Sequence, residues 1–148
     1  MSAEAKAKEL GIEFKPAEGA KPYLNLCARS GNLFFLSGQV SDLKGKLGAG
    51  VSVEKGCEAA KQCAVKLLQA LRREVSSLDQ VRVIKLLGCV NSTPDFTDQH
   101  LVINGASDLF HTLFGKEGDG FHARSAVGFV SLPTGVAVEI EAIFEIKS

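Results

Sequence analysis

The chain has 148 residues, enough for one domain of ordinary size, and its 45% hydrophobic residues can form a substantial core. Its 17 basic and 17 acidic side chains balance, so no net positive field draws it to nucleic acids or to an anionic membrane. No apolar run approaches the length of a membrane span. We therefore expect one domain without a membrane partner, and the balanced charge disfavours nucleic acid.

The N-terminal ten residues predict a short amphipathic helix that ends at Gly11. They lack the apolar run of a signal peptide, and Glu4 and Glu9 differ from the acid-poor composition of an organellar transit peptide. Four cysteines form no C-x-x-C pair and lie in apolar stretches, which predicts buried, reduced thiols. They are Cys27, Cys57, Cys63 and Cys89. These features favour a cytoplasmic location.

Two prolines and Gly19 make the segment from Pro16 to Pro22 a predicted linker. We therefore divide the chain into an N-terminal helix and linker, residues 1–21, and a single α+β domain, residues 22–148.

The domain is predicted to open with a β-hairpin, Leu24 to Arg29 and Asn32 to Val40, because Ser30-Gly31 is a turn dipeptide. A glycine-rich mobile loop, Asp42 to Gly50, which could include a short strand, follows. Apolar residues at steps of three and four then predict a helix from Val53 to Val75.

The second half of the domain adds a buried strand from Val81 to Asn91, rich in β-branched residues, and a helix from Pro94 to Phe114. Within this helix, Asn104-Gly105 indicates a kink or the close approach of another backbone. Two strands, Ala123 to Leu132 and Val136 to Ile146, should close the chain as an antiparallel hairpin around a Pro-Thr-Gly turn.

The predicted order is therefore β-β-α-β-α-β-β, with one mixed sheet and both long helices on one face. Strands such as Leu33 to Leu36 are apolar on both sides, so the other face would expose apolar side chains to water. We expect that face to be covered by self-association into a closed homo-oligomer.

Arg124 lies inside a predicted strand, where a guanidinium needs an anionic partner. It could form an internal ion pair with a glutamate of the neighbouring strand, or its planar fork could receive a substrate carboxylate. Glu139, Glu141 and Glu145 share one face of the last strand by its period of two. They form either a solvated acidic face or a site where one carboxylate acts as a general base.

Other catalytic patterns are weak in this sequence. His100, His111 and His122 lack the spacing of paired metal ligands, so we expect no metal site. Ser37-Gly38-Gln39 is interpreted as an ordinary turn at a strand end, because no nucleophile motif surrounds it.

The chain resembles the Rid/YjgF family over nearly all of residues 22 to 146. The resemblance lies in the segments that follow: Pro22-Tyr23, Gly31 to Gln39, Asn104, Ala123 to Val127, Leu132-Pro133 and Val138 to Ala142. It implies a chorismate-mutase-like α+β fold and a homotrimer with ligand clefts between subunits. The sequence departs from the family at Ala126, where deaminase members carry cysteine, and at His122, where they carry proline or a small residue.

The resemblance implies hydrolysis of reactive 2-imino or enamino acids to 2-oxo acids and ammonia. Arg124 would bind the substrate carboxylate, Glu139 would position or activate water, and Tyr23, Asn104 and Ala126 would shape the cleft. An imine carbon is already electrophilic, so no metal or cofactor is needed. Two alternatives stay open: a non-catalytic protein that binds small carboxylates, and the less favoured endoribonuclease role given to some family members.

Overall fold

The computed structural model describes residues 1–16, 18–19 and 21–148. The elements in chain order are α1 (Ala3–Glu9), β1 (Cys27–Ser30), β2 (Leu33–Val40), β3 (Lys46–Leu47), β4 (Gly50–Val51), α2 (Val53–Leu71), β5 (Val81–Asn91), α3 (Gln99–Phe114), β6 (Ala123–Phe129) and β7 (Val138–Ile146). The predicted α+β order is confirmed, with β3 and β4 as a small additional pair. The predicted linker contains Ala17 and Ala20, which lie outside the described residues.

The five long strands form one mixed sheet in the order β1-β2-β7-β5-β6. Every neighbouring pair is antiparallel except β5 and β6, which run parallel. Strand β7 is therefore central, β5 lies between β7 and β6, and β1 and β6 are the two edges. The predicted first hairpin is confirmed, because β1 pairs with β2 across a turn at Gly31, whose φ is +56°.

The predicted hairpin between the last two strands is wrong. Strands β6 and β7 run in opposite directions, but β5 lies between them and pairs with both. Helix α3 carries the chain from β5 back to a parallel β6, as a crossover connection must. The turn at Pro133–Gly135 then takes the chain past the end of β5 to its other side. The residues of a tight turn predict that the chain reverses its direction, but they do not predict which strands pair with each other.

Both long helices pack on one face of the sheet, as predicted. Alternate residues of β7 face them and are buried, namely Val138, Ile140, Ala142 and Phe144. The helices also pack closely on each other at Gly105, where a Cβ would lie 2.0 Å from the carbonyl oxygen of Cys57. The Asn104-Gly105 dipeptide thus marks the close backbone approach expected from the sequence.

Two helix ends differ from the sequence prediction. Helix α3 begins at Gln99 instead of Pro94, because Thr93 donates its N–H to Leu47 O and Phe96 donates to Thr93 O in a turn. Helix α2 begins at Val53, as predicted, with Ser52 as its N-cap, and ends at Leu71, four residues before the predicted end. The segment predicted as a mobile loop is fastened to the domain, because Leu47 within it is fully buried.

The sheet face away from the helices carries exposed apolar side chains. Phe35, Val127 and Phe129 are 42%, 38% and 44% exposed, and Leu87 and Ile143 are half-buried between them. We call this surface the open face. Within the described residues, no helix has both the length and the apolar character to cross a membrane.

Helix α1 docks on the domain through Glu4. Its carboxylate accepts hydrogen bonds from Arg72 Nε at 3.1 Å and from the Leu78 backbone N–H at 2.8 Å, and its side chain is only 13% exposed. Ala3 and Ala7 of the same helix are buried against the core. The acidic residue that argued against a transit peptide is therefore a structural contact.

Replacing Glu4 with alanine should lower the free energy of unfolding by about 2 kcal/mol, because a partly buried guanidinium and an N–H lose a charged acceptor. For a chain of this length, that corresponds to a fall in Tm of roughly 4–8 °C. Glu9→Ala on the exposed end of α1 is the matched control, and thermal unfolding is the measurement. Equal melting of the two variants would show that α1 does not stabilise the domain.

Candidate active site

Arg124 lies on the edge strand β6 and points toward the helix side of the sheet. Its register partner on β5, Leu86, is fully buried beneath the helices. The guanidinium rests along α3, where Nη1 donates to Ser107 Oγ at 3.1 Å and Nη2 donates to Asn104 Oδ1 at 2.8 Å and to the His100 carbonyl oxygen at 3.3 Å. These α3 residues share one face of the helix, because steps of four and three bring side chains together.

All three acceptors of Arg124 are neutral. Among the residues that the structure describes, no carboxylate lies within ion-pair distance of this guanidinium. The ion pair with a strand glutamate, one of the two interpretations of the sequence, is therefore not formed among the described residues. An anion at the edge of β6 would meet a half-buried positive charge that is held in place and not neutralised.

A second layer of hydrogen bonds lies behind Arg124. Ser107 is buried, and its Oγ is 2.9 Å from His122 Nε2, while His122 Nδ1 is 2.7 Å from the carbonyl oxygen of Gly120. Because a carbonyl only accepts, Nδ1 carries the proton and Nε2 accepts from the Ser107 hydroxyl. Burial lowers the pKa of His122, and the nearby His111 and Arg124 lower it further, against the effect of the Gly120 hydrogen bond.

The turn after α3 places the Gly120 carbonyl under His122. At Gly120, a Cβ would lie 2.5 Å from Gly115 O and 2.7 Å from Phe110 O, so the turn needs glycine there. Phe110 also presents its ring edge-on to His122, with centroids 6.0 Å apart. The glycine-rich turn from Gly115 to Gly120 therefore supports the imidazole.

Glu139 lies on the opposite face of the sheet from Arg124. Its neighbours Val138 and Ile140 are buried under the helices, so its side chain points to the open face. A Cβ at Gly38 would lie 3.0 Å from the Glu139 carboxyl. The glycine on β2 therefore leaves room for the Glu139 side chain, which comes from the neighbouring strand β7. Ser37-Gly38-Gln39 is thus inside β2 at a register shift, and its interpretation as a strand-end turn is wrong.

Tyr23 is also far from Arg124 in the sheet. It precedes β1, at the edge opposite to β6, and it is fully exposed with a φ of +64°. Ala126, in contrast, shares the helix side of β6 with Arg124 and packs partly against the core. One copy of the chain therefore brings together Arg124, Asn104 and Ala126, and does not bring Tyr23 or Glu139 to them.

Comparisons with known proteins identify the family. The sequence profile described as Endoribonuclease L-PSP matches residues 15–146. The chain belongs to this family. The Rid/YjgF resemblance is thereby confirmed, since the L-PSP and Rid/YjgF names refer to the same family.

Individual relatives agree with the family assignment. The chain is 40% identical to Protein TCP17 of Trypanosoma cruzi over 97% of its own length and 94% of that protein. It is 41% identical to the solved structure of Atu1372, a protein of unknown function from Agrobacterium tumefaciens, with a TM-score of 0.87, covering 98% of this chain and 92% of that one. RidA from the Antarctic bacterium Psychrobacter shares the fold at 23% identity and a TM-score of 0.58, covering 88% and 93%.

The cysteines of this L-PSP family member are poor candidates for a nucleophile. All four are free, and burial is the first cause that raises each pKa, to about 11 for Cys27 and Cys89 and about 12 for Cys63. Only Cys63 is fully buried, so the prediction of buried thiols is wrong for the other three, which are half-buried. Thiols with raised pKa values stay protonated at neutral pH and react poorly.

Sequence reasoning did not find two residues of this site. Ser107 follows Asn104 by three positions on α3, so helical spacing could have placed its hydroxyl beside the Asn104 side chain. In the sequence, His122 stands out only as a metal candidate and as a departure from the family pattern. Its link to Ser107 depends on the turn around Gly120, which no local pattern in the sequence predicts. The described residues contain no cluster of three or more His, Cys, Asp or Glu side chains that could hold a metal.

Proposed function

We propose that this chain hydrolyses reactive 2-imino or enamino acids to 2-oxo acids and ammonia. The observation that carries the proposal is the state of Arg124, a half-buried guanidinium held by three neutral acceptors, with no carboxylate of the described residues beside it. Such a group is suited to bind one small carboxylate in a fixed orientation. Membership of the Rid/YjgF family supports the same ligand class.

The proposed reaction needs only positioning and proton transfer. Arg124 holds the substrate carboxylate, with Asn104 and Ala126 forming the wall beside it. Glu139 takes a proton from water, the water oxygen adds to the imine carbon, and the C=N bond becomes a single bond. The proton held by Glu139 passes to the nitrogen, and the hydroxyl proton of the carbinolamine follows it as the C=O bond forms and the C–N bond breaks, which releases ammonia and the 2-oxo acid. An enamino acid enters the same path after it tautomerises to the imine. An already electrophilic carbon makes this possible without a metal or another cofactor.

A second copy of the chain is required by this mechanism. Arg124 is at the β6 edge, whereas Glu139 is on the open face and Tyr23 is beyond the β1 edge, so they can share a cleft only across a subunit boundary. The exposed apolar side chains of the open face supply a surface for association. We therefore propose a homotrimer whose open faces meet and whose clefts each take Arg124 from one subunit and Glu139 from the next.

Mixing two inactive variants tests this arrangement. Arg124→Ala and Glu139→Gln homotrimers should each be inactive, but unfolding and refolding them together should restore activity. With random assembly, roughly a quarter of the clefts would contain both native residues. The measurement is ammonia release from an imine generated in the assay by an amino-acid oxidase. Refolding each variant alone is the control, and recovery no greater than the sum of those controls would reject a shared cleft.

The same assay separates the alternative functions. A protein that only binds small carboxylates would be stabilised by 2-oxo acids in thermal unfolding without accelerating ammonia release. The separation of Arg124 and Glu139 within one copy favours this second candidate if the chain does not oligomerise. If the chain is an endoribonuclease, RNA-cleaving activity should stay with the protein through successive purification columns and should be lost in Arg124→Ala. The balanced charge of the chain argues against such an activity.

The proposed location is the cytoplasm. Four free cysteines, with no disulfide among them, suit a reducing compartment.

A further inference from the structure

His122 and Ser107 form a hydrogen-bonded pair directly behind Arg124, and the proposed reaction does not use either residue. The Ser107 hydroxyl has one proton to donate, and the neutral His122 ring takes it at Nε2, 2.9 Å away. The lone pairs of the same oxygen are then left for Arg124 Nη1 at 3.1 Å. The orientation of the hydroxyl is therefore set by the imidazole.

The imidazole itself is held in one tautomer. His122 Nδ1 donates to the Gly120 carbonyl at 2.7 Å, so Nε2 is left as an acceptor. The titratable or charged groups that face the ring are His111 from α3, with ring centroids 5.4 Å apart, and Arg124 from β6. Neither is an anion that would stabilise a second positive charge, and burial adds to the cost, which is why the pKa of His122 lies below its ordinary value of 6.5.

We propose that His122 is a positioning residue, which fixes Arg124 for its carboxylate ligand by orienting the Ser107 hydroxyl. The proposal rests on the carboxylate site at Arg124 proposed above. It concerns a residue at which this chain departs from the family pattern, so it is a property of this chain.

Protonation of His122 would reverse the arrangement. Nε2 would become a donor, so imidazolium and guanidinium would both direct N–H groups at one oxygen, and the Ser107 proton would lose its acceptor. Two like charges would then share that oxygen, and Arg124 would lose one of its three holding contacts. Carboxylate affinity should therefore be constant near neutral pH and fall as the pH drops below the lowered pKa of His122.

Pyruvate binding to the full-length protein by isothermal titration calorimetry tests the proposal. Ser107→Ala and His122→Phe should each lower the affinity roughly tenfold, the effect of one hydrogen bond to a charged group. The double variant should lose no more than either single variant, since both substitutions interrupt the same chain of contacts. His122→Gln keeps an acceptor for the hydroxyl and should bind within about twofold of the native protein.

The pH profile is the readout that a purely structural role would not change. Native protein should lose affinity as the pH falls below the lowered pKa of His122, and His122→Gln should not, because its amide does not titrate. Three results would each overturn the proposal. The losses of affinity could add in the double variant, His122→Phe could bind with native affinity, or His122→Gln could show the same pH profile as the native protein. If His122→Phe does not fold, Ser107→Ala and His122→Gln still decide it.

The Arg124→Ala variant distinguishes a failure of the positioning role of His122 from a failure of the proposed carboxylate site at Arg124. If Arg124→Ala binds pyruvate as well as the native protein, the carboxylate site itself is wrong and the role of His122 falls with it. If Arg124→Ala loses binding while the His122 and Ser107 variants keep it, only the positioning role is rejected.

Discussion

Replacing Arg124 with alanine is expected to lower the affinity for pyruvate by roughly 100-fold or more, because two charge-assisted hydrogen bonds to the carboxylate are lost together. Hydrolysis of an imino acid should fall at least as far, since the same contacts orient the carbon that water attacks. The fold should persist, because the side chain is only half-buried at the edge strand β6. Calorimetry with pyruvate and the oxidase-coupled ammonia assay are the two measurements.

Two further arginine variants test whether the loss of pyruvate binding is specific to the Arg124 guanidinium. Arg82→Ala removes an exposed guanidinium on the neighbouring strand β5 that pairs with Glu145 at 2.8 Å, so it should bind pyruvate as the native protein does. Arg124→Lys keeps the charge but replaces the planar fork by a single ammonium, so its affinity should lie between those of alanine and arginine. Equal binding by Arg124→Ala and Arg82→Ala would show that the ligand is bound elsewhere.

The fold was largely predictable because its signals are local. Alternation along β7 placed Val138 and Ile140 on one face and Glu139 on the other, and the three-four spacing of α2 gave its length to within four residues. The neighbours of each strand were not predictable in the same way. The pairing of β6 with β5 joins residues far apart in the chain, and a Pro-Thr-Gly turn between β6 and β7 suggests a hairpin equally well.

The candidate site, like the fold, was predictable only in part from the sequence. Arg124 is indicated both by its charge inside a predicted strand and by the family resemblance, and Asn104 by the resemblance alone. The structure joins these two residues by a hydrogen bond of 2.8 Å. Glu139 is indicated by the strand period and by the resemblance, but its side chain lies on the other face of the sheet. Sequence motifs record which residues a family carries and do not record which copy of the chain supplies them. The role of Glu139 and Tyr23 therefore depends on the proposed assembly, and the mixing experiment addresses it directly.

Helix α3 links the fold to the site, because it carries Asn104, Ser107 and the His100 carbonyl that hold Arg124. Its position relative to the sheet is set in part by its contact with α2 at Gly105. A side chain at Gly105 would separate the two helices at that contact. The expected consequence is a loss of both stability and ligand affinity from a single added methyl group.

Gly105→Ala should lower the free energy of unfolding by about 2 kcal/mol or more. A Cβ there would lie 2.0 Å from Cys57 O, a backbone atom of α2 that cannot rotate away. Overpacking of this kind costs about 3 kcal/mol or more, and the better helix propensity of alanine returns about 1 kcal/mol. The melting temperature should fall by roughly 4–8 °C in thermal unfolding.

The matched control for Gly105→Ala is Thr112→Ala, an exposed position on the same helix, which should change the free energy of unfolding by less than about 0.5 kcal/mol. Pyruvate affinity measured well below the melting temperature should also fall in Gly105→Ala, because Asn104 moves with the backbone of α3, and should not fall in the control. Native stability in Gly105→Ala would mean that α2 and α3 do not approach closely at this point. Lower stability with native affinity would mean instead that α3 adjusts without moving the residues that hold Arg124.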